Sequence, residues 1–307
     1  MNKRWSTLLV VVIILTFIGY MVYDVALKKE NPPVTSVNID SSEIGDSWLV
    51  SNVFDPGLGK LKSVATTGIG DIVLGGESFV AQYNADLKSL WTLNTEKPVT
   101  ALSVSGDTIF ASTFETIMII SPKGKLISEW GPFEDSSIIA SVSANKSMVA
   151  FSDARKKTVT LLDKKGIVKK IMGTSGEPFI IPSFYFEVEL TSDNLLYIAN
   201  TGKSRVEIRN TDGSITGTFG EPGTGPGEFC GCCNPAHFVI IPEGFITAEK
   251  GINRIKILNK KGGFVELVSS VNKFAPPLPL DIASPDGKVI YGANPADSKL
   301  YIFKRKS

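Results

Sequence analysis

The chain has 307 residues, with 32 basic and 31 acidic side chains, so its formal net charge at pH 7 is +1. This balance excludes a broad basic field of the kind that attracts nucleic acid, and we expect no nucleic-acid partner. Hydrophobic residues make up 43% of the chain. The length suits one large domain or two small ones.

The first feature in chain order is an apolar segment near the N-terminus. Residues 5–23 carry no charged side chain and follow Lys3 and Arg4. At about 1.5 Å per residue, a helix over this segment matches the hydrocarbon core of a bilayer, which is about 30 Å thick. The segment predicts a single transmembrane anchor after a cytoplasmic stub at residues 1–4, with the remainder of the chain outside the cytoplasm. A cleaved signal peptide is the alternative, but no small-x-small cleavage site follows.

Residues 24–46 are polar, contain Pro32 and Pro33, and are predicted to form a linker. Beyond the linker a strand followed by a turn recurs. The turns open on Asn, Asp or Ser, and most contain Gly, as hairpin geometry requires. They begin at positions 84, 121, 163, 210 and 259, intervals that suit four short strands per unit. The recurring strands cover residues 78–83, 115–120, 158–162, 204–209, 253–258 and 298–303.

Six such units with no helical pattern between them predict an all-β fold, a six-bladed β-propeller over residues 47–307. The sixth unit ends without a fourth strand, whereas Trp48–Phe54 forms a strand that belongs to no unit. We expect this strand to complete the last blade and close the ring, which removes the exposed sheet edges. A β-sandwich also uses short strands but would not give this recurrence.

Part of the chain is similar to a known repeat family. Residues 220–229 are glycine-rich and end on Phe229. They are followed by a segment that contains Pro235 (234–238), a turn (242–244) and a strand that begins Asn-Arg-Ile (253–258). This order resembles an NHL repeat, and the resemblance is clearest over residues 192–262. It implies the six-bladed propeller fold and leaves the function open, because propellers host both binding modules and enzymes.

Two acidic residues are predicted to line the central channel. Glu187 and Glu189 alternate on the innermost strand of the fourth blade, so both side chains point the same way. Such a pair suits cation binding or acid–base chemistry.

All three cysteines and the only histidine of the chain lie within eight residues, at Cys230, Cys232, Cys233 and His237. In a propeller this segment joins the outer strand of the fourth blade to the inner strand of the fifth, at the channel mouth. One interpretation is a disulfide that staples the loop, either Cys230–Cys233 or Cys232–Cys233. Another is a metal site that uses all four side chains, for which zinc or copper(I) is suitable. The third is thiol redox chemistry, with Lys250 favouring the thiolate.

The loops between the second and third strands of a blade open on the same face as this segment. They supply further candidates for the channel mouth, namely Asp153, Arg155, Asn200, Lys203, Glu249 and Lys250.

The sequence contains no catalytic motif of the G-x-S-x-G or H-E-x-x-H type, and one histidine excludes a multi-histidine metal centre within the chain. We therefore expect a membrane-anchored binding or scaffold module rather than an enzyme. Its channel mouth and cysteine-rich loop would face a protein or small-ligand partner. The alternative is a metal-binding or thiol-redox enzyme or electron-transfer component that uses Cys230, Cys232, Cys233 and His237.

Overall fold

The computed structural model describes residues 11–20, 47–270, 273–275 and 277–306. The chain divides into two compact units, Met1–Ser41 and Ser42–Ser307. In the first unit, residues 11–20 form a helix, α1. The predicted stub (1–4), the linker (24–46) and both ends of the predicted anchor (5–10 and 21–23) lie outside the described residues. No helix within the described ranges has both the length and the apolar character needed to cross a membrane.

The described residues of the second unit form 24 strands in six antiparallel sheets of four strands each. Blade 1 contains β2 (Leu61–Thr66), β3 (Ile72–Gly76), β4 (Phe79–Tyr83) and β5 (Ser89–Asn94). Blade 2 contains β6 (Ala101–Ser105), β7 (Thr108–Ser112), β8 (Ile117–Ile120) and β9 (Leu126–Trp130). Blade 3 contains β10 (Ile139–Ala144), β11 (Met148–Asp153), β12 (Thr158–Asp163) and β13 (Val168–Met172).

Blade 4 contains β14 (Val188–Leu190), β15 (Leu196–Asn200), β16 (Arg205–Arg209) and β17 (Ile215–Phe219), with a 3₁₀ turn at Thr201–Lys203. Blade 5 contains β18 (His237–Ile241), β19 (Gly244–Ala248), β20 (Ile255–Asn259) and β21 (Phe264–Ser269). Blade 6 contains β22 (Asp281–Ala283), β23 (Val289–Asn294) and β24 (Lys299–Arg305), completed by β1 (Trp48–Phe54).

The prediction of a six-bladed propeller closed by the N-terminal strand is confirmed. In blades 1 to 5 the strands pair in chain order, whereas in blade 6 the order is β1-β24-β23-β22. Strand β1 runs antiparallel to β24, with Trp48 opposite Arg305 and Phe54 opposite Leu300. The first and last strands of the ring therefore share one sheet.

The hydrophobic core is divided among the interfaces between neighbouring blades. Six clusters of buried side chains are present in the described part of the chain, and each joins two adjacent blades. The cluster around Leu61 and Leu300, for example, joins blades 1 and 6 across the closure. The strands are short, and most of their apolar area is buried against the neighbouring sheet. The stability of the ring therefore depends on all six interfaces between blades.

A candidate cation site at the channel mouth

Four consecutive blades place a polar side chain at an equivalent position, at the beginning of the innermost strand. These residues are Ser141, Glu187, His237 and Asp281. Their partners on the second strand of each blade are Ser152, Ala199, Ala248 and Ala293. Glu187 directly precedes β14, and its carbonyl accepts a hydrogen bond from the Ala199 amide at 2.9 Å. Glu187, His237 and Asp281 line one central cavity, and Ser141 contacts Glu187.

Three of these side chains converge to within ion-pair distance. The Nδ1 atom of His237 lies 2.9 Å from Oε2 of Glu187 and 3.4 Å from Oδ1 of Asp281. The three potential ligand atoms all lie within 4.8 Å of one another. The side chains are 18%, 13% and 18% exposed for His237, Glu187 and Asp281. The cluster is thus largely desolvated but open to the channel.

The neighbouring blades hold the two carboxylates in place. Ser141 of blade 3 donates a hydrogen bond to Glu187, and its Oγ accepts one from the Val188 amide at 3.2 Å. Asp281 Oδ2 accepts a hydrogen bond from the Val64 amide of blade 1 at 2.9 Å. Each carboxylate is therefore positioned by the blade beside its own.

A second acidic residue lies one step further along blade 4. Glu189 accepts a hydrogen bond from Ser143 at 2.8 Å. Burial and the charge of Glu187 raise the pKa of Glu189 to about 8, so that this carboxyl keeps its proton at neutral pH. Glu189 can therefore act as a hydrogen-bond donor, whereas Glu187 faces the cluster.

Electrostatics couple the three converging groups. Burial raises the pKa of Asp281 to about 6, with a further contribution from the charge of Glu187, while His237 acts in the opposite direction. Burial lowers the pKa of His237, but the hydrogen bond to Glu187 and the charges of Asp281 and Glu187 outweigh it. The pKa of His237 therefore lies above its usual value. A proton on Nδ1 neutralises part of the negative charge, and a bound cation can do the same.

The cluster borders a cavity of about 190 Å³ at the centre of the ring, lined by innermost segments of all six blades. Its polar lining includes Ser103, Ser143, Glu187, Glu189 and Asp281. The volume is enough for a metal ion with several waters or for the end of a small ligand.

The cysteine-rich loop lies near this cluster but is not part of it. None of the three cysteines is in a disulfide, and the Sγ atoms of Cys232 and Cys233 are 3.6 Å apart. Tyr185 connects the two regions, because its ring contacts His237 edge-on at a centroid distance of 5.6 Å. The Nζ atom of Lys250 lies over the same ring, 5.2 Å from its centroid. Burial raises the pKa of Tyr185, and so does the nearby charge of Cys233.

The predicted four-ligand set of Cys230, Cys232, Cys233 and His237 does not come together on one point. In the part of the chain that the structure describes, one group of three or more potential metal ligands occurs, and it consists of Glu187, His237 and Asp281. His237 contacts the two carboxylates instead of the sulfur atoms. A metal site at the cysteines remains a prediction.

The six mouth candidates differ in their surroundings. Asp153, Asn200 and Glu249 are buried and hydrogen-bonded to their own blade or to the segment that leads into it. The Asn200 side chain, for example, accepts a hydrogen bond from the Ile180 amide and donates one to Glu207. Lys203 pairs with Glu177, and Arg155 is exposed. Lys250 alone among the six contacts a residue of the cluster region, Tyr185.

The sequence reasoning missed Asp281, Ser141 and Tyr185. Asp281 follows the proline-containing connection between blades 5 and 6, and its strand has only three residues, so alternation gave no signal. Alignment of the beginnings of the inner strands would have found it, since Glu187, His237 and Asp281 each oppose an alanine. Ser141 is the corresponding residue of blade 3.

No protein-family model and no curated protein sequence matches this chain. Solved structures do match it as folds. Virginiamycin B lyase from Staphylococcus aureus has a TM-score of 0.57 and 14% identity, over 82% of this chain and 98% of that one. A streptogramin B lyase has a TM-score of 0.59 and 12% identity, over 84% of this chain and 98% of that one.

A protein of unknown function from Bacteroides thetaiotaomicron has a TM-score of 0.61 and 16% identity, over 87% of this chain and 74% of that one. At these identities the similarity shows the fold alone. The class of protein is a six-bladed β-propeller.

Proposed function

We propose that the protein is a membrane-anchored, NHL-like binding propeller that presents its channel mouth and cysteine-rich loop outside the cytoplasm. Its ligand is held through a divalent cation at Glu187, His237 and Asp281. The convergence of these three side chains from three successive blades is the observation that carries the proposal. The ligand itself is a small molecule or an exposed segment of a protein partner that can supply a further ligand atom to the cation.

The donor set combines two hard carboxylates, which suit manganese(II), with one imidazole, which suits zinc(II). Two carboxylates and one imidazole suit manganese(II) or zinc(II) better than calcium or copper(I). Three protein donors leave coordination positions open toward the cavity. Mutual repulsion of Glu187 and Asp281 in a desolvated site also favours a cation between them.

Manganese(II) is the sharper probe, because thiolates of the cysteine loop compete for zinc but have little preference for manganese. The full chain is purified in detergent, treated with a chelator and titrated with Mn²⁺ by calorimetry. We expect one equivalent to bind. Glu187→Gln and Asp281→Asn should each weaken the affinity for Mn²⁺ at least about 10-fold. Each variant removes a charged ligand, and even the loss of a residue that only hydrogen-bonds to a ligand lowers metal affinity by about that factor.

Two variants serve as controls for this titration. Glu96→Gln removes an exposed carboxylate of the same type and should leave the affinity unchanged. Cys232→Ser tests the alternative of a metal-binding component at the cysteines. Loss of the bound ion in Cys232→Ser but not in Glu187→Gln would transfer the site to the cysteine loop and contradict the proposal.

The membrane anchor and the external location rest on the sequence. Residues 5–23 are uncharged, and residues 11–20 within them are helical. A test uses the exposed thiol of Cys232. In spheroplasts that express the full chain and are first treated with a disulfide reductant that is then washed out, a membrane-impermeant maleimide should label the protein, and the labelled protein should stay with the membranes after alkaline extraction. Labelling only after permeabilisation would show the opposite topology, and release by alkali would exclude an anchor.

A further inference from the structure

The cysteine-rich loop is fixed at several points, and Cys232 and Cys233 lie between them. On the N-terminal side, the Cys230 amide donates a hydrogen bond to Glu249 at 3.4 Å, and the Gly231 carbonyl accepts one from Ser204 at 3.3 Å. On the C-terminal side, Asn234 is 1% exposed and its side chain accepts a hydrogen bond from the Lys250 amide at 2.7 Å. Its Nδ2 atom donates to the carbonyls of Cys230 and Lys250.

Gly231 provides the turn that directs the two cysteines outward. Its φ angle of +74° lies in the left-handed region, which favours glycine, and no heavy atom lies within 4 Å of the place a Cβ would occupy. Cys232 is exposed and Cys233 is half-buried, so the pair is accessible from solvent.

The sulfur atoms of the pair interact with each other rather than with Cys230. The Sγ atoms of Cys232 and Cys233 are 3.6 Å apart, a hydrogen-bonding distance for sulfur, and both thiols are free. The hydrogen bond to Cys233 and the negative charge of Cys233 raise the pKa of Cys232, while Lys250 acts in the opposite direction. The positive charge of Lys250 therefore favours the Cys232 thiolate and partly offsets the effect of Cys233.

We propose that Cys232 and Cys233 form a thiol–disulfide exchange site whose substrate is a low-molecular-weight or protein disulfide. The site is separate from the cation site, so it is tested independently of the proposed function. Exchange needs a thiol that solvent can reach and a second thiol close enough to resolve the mixed disulfide, and a nearby positive charge favours the attacking thiolate. The disulfide that forms between them is exposed, and exposed disulfides are readily reduced again.

The exchange balances without any further reactant. The thiolate of one cysteine attacks a sulfur atom of the substrate disulfide, which forms a mixed disulfide and releases the first substrate thiolate. The second cysteine then loses its proton and attacks the protein sulfur of the mixed disulfide. The Cys232–Cys233 bond forms, and the second substrate half leaves as a thiolate. Two protein thiols are oxidised, and one disulfide is reduced to two thiols.

The test uses oxidised glutathione and the reduced full chain in detergent. We expect the number of titratable thiols to fall from three to one, and the intact mass to fall by two hydrogen atoms with no glutathione attached. Cys230→Ser is the matched control, because it keeps the proposed pair. It should fall from two thiols to none with the same mass change. Cys232→Ser and Cys233→Ser should instead accumulate the mixed disulfide with glutathione.

Lys250→Gln tests the local charge without removing a thiol. The rate of thiol loss at pH 7 should fall about 3- to 10-fold, because the thiolate fraction decreases, while the final product stays the same. Circular dichroism checks that each variant is folded. A stable internal disulfide in Cys232→Ser, which would have to join Cys230 to Cys233, would overturn the proposal. So would the retention of all thiols in the parent chain, or a Cys230→Ser variant that keeps both of its thiols.

Discussion

A buried ion cluster in blade 5 explains why Glu249 is not available at the channel mouth. Its Oε1 atom lies 2.8 Å from Nε of Arg254 and 3.0 Å from Nζ of Lys256, and all three side chains are 0% exposed. Arg254 and Lys256 also donate to the carbonyl of Glu228, at 2.8 Å and 2.6 Å. The cluster therefore fixes the end of the glycine-rich segment that leads into the cysteine loop. Its role is to position that loop.

Lys256 should make the stability of the protein depend on pH. Burial lowers its pKa from 10.5 to about 8, although Glu249 acts in the opposite direction. Between pH 8 and pH 10.5 the folded state then binds fewer protons than the unfolded state, so the free energy of unfolding rises with pH. Below pH 8 the group contributes no slope.

The measurement compares the parent chain with Lys256→Met by urea unfolding at pH 7.5 and pH 10.5, under reducing conditions. We expect the parent to gain about 1 to 3 kcal/mol relative to the variant over this range. Other titrating groups cancel in the difference. Lys261→Met, at an exposed position, is the control and should follow the parent. Equal pH dependence in the parent and Lys256→Met would show that Lys256 titrates normally.

At this scale the sequence supplied part of the site. The sequence points to His237 because it is the only histidine, and to Glu187 because it alternates with Glu189. Which groups they contact could not be predicted. Whether His237 contacts the sulfur atoms or the carboxylates depends on how neighbouring blades are rotated about the channel. A single sequence does not predict that rotation.

The turns between third and fourth strands interlock neighbouring blades. In four successive blades the glycine of this turn packs against a side chain from the fourth strand of the preceding blade. A Cβ on Gly166, for example, would lie 2.7 Å from the ring of Trp130. Glycine is thus favoured at this position for two reasons: it adopts a positive φ angle without strain, and it lets the neighbouring blade approach closely. The four pairs are Gly124 with Trp91, Gly166 with Trp130, Gly213 with Met172, and Gly262 with Phe219.

A comparison of Gly166→Ala with Gly106→Ala should separate the energetic cost of the positive φ angle from the cost of the contact between blades. Both residues have positive φ, +80° and +59°, but nothing lies within 4 Å of the added atom at Gly106. We expect Gly106→Ala to cost about 1 kcal/mol from backbone strain alone. Gly166→Ala should cost about 2 to 4 kcal/mol, because overpacking against Trp130 adds to the strain. Urea unfolding measures both, and equal losses would show that the contact between blades does not matter.

The recurring strands were the most predictable elements. Their alternation predicts the first residue of each third strand to within two positions. The strand predicted at 204–209, for example, is observed at Arg205–Arg209. The innermost strands were harder, because those of blades 4 and 6 have only three residues each. Short strands leave too few positions for a pattern of alternation, and these two strands carry Glu189 and Asp281.

The ring as a whole creates the candidate site. Glu187, His237 and Asp281 are separated by 50 and 44 positions in the sequence, about one blade each. Six repeats and an unmatched first strand were enough to predict a closed ring, because only closure leaves no sheet edge unpaired. The channel could be predicted from that ring, but its charge distribution could not, since it depends on which inner strand begins with an acidic residue.

Strand β1 closes the ring through a buried tryptophan. Trp48 is 1% exposed and packs in the cluster between blades 5 and 6, and the Arg305 guanidinium lies 4.9 Å from the centroid of its ring. Trp48→Ala should therefore lower the free energy of unfolding by about 3 to 5 kcal/mol. A weakened β1 also exposes the edge of β24, so this variant should form more oligomers than the parent.

Leu49→Ala is the matched control for the closure, because Leu49 lies in the same strand and is 41% exposed. It should change the stability by less than about 0.5 kcal/mol and leave the oligomer distribution unaltered. Urea unfolding and size-exclusion chromatography of the full chain in detergent measure the two effects. If Trp48→Ala behaved like Leu49→Ala in both measurements, the ring would hold together without its N-terminal strand. The channel site would then depend only on the contacts between blades 1 and 6 that do not involve β1.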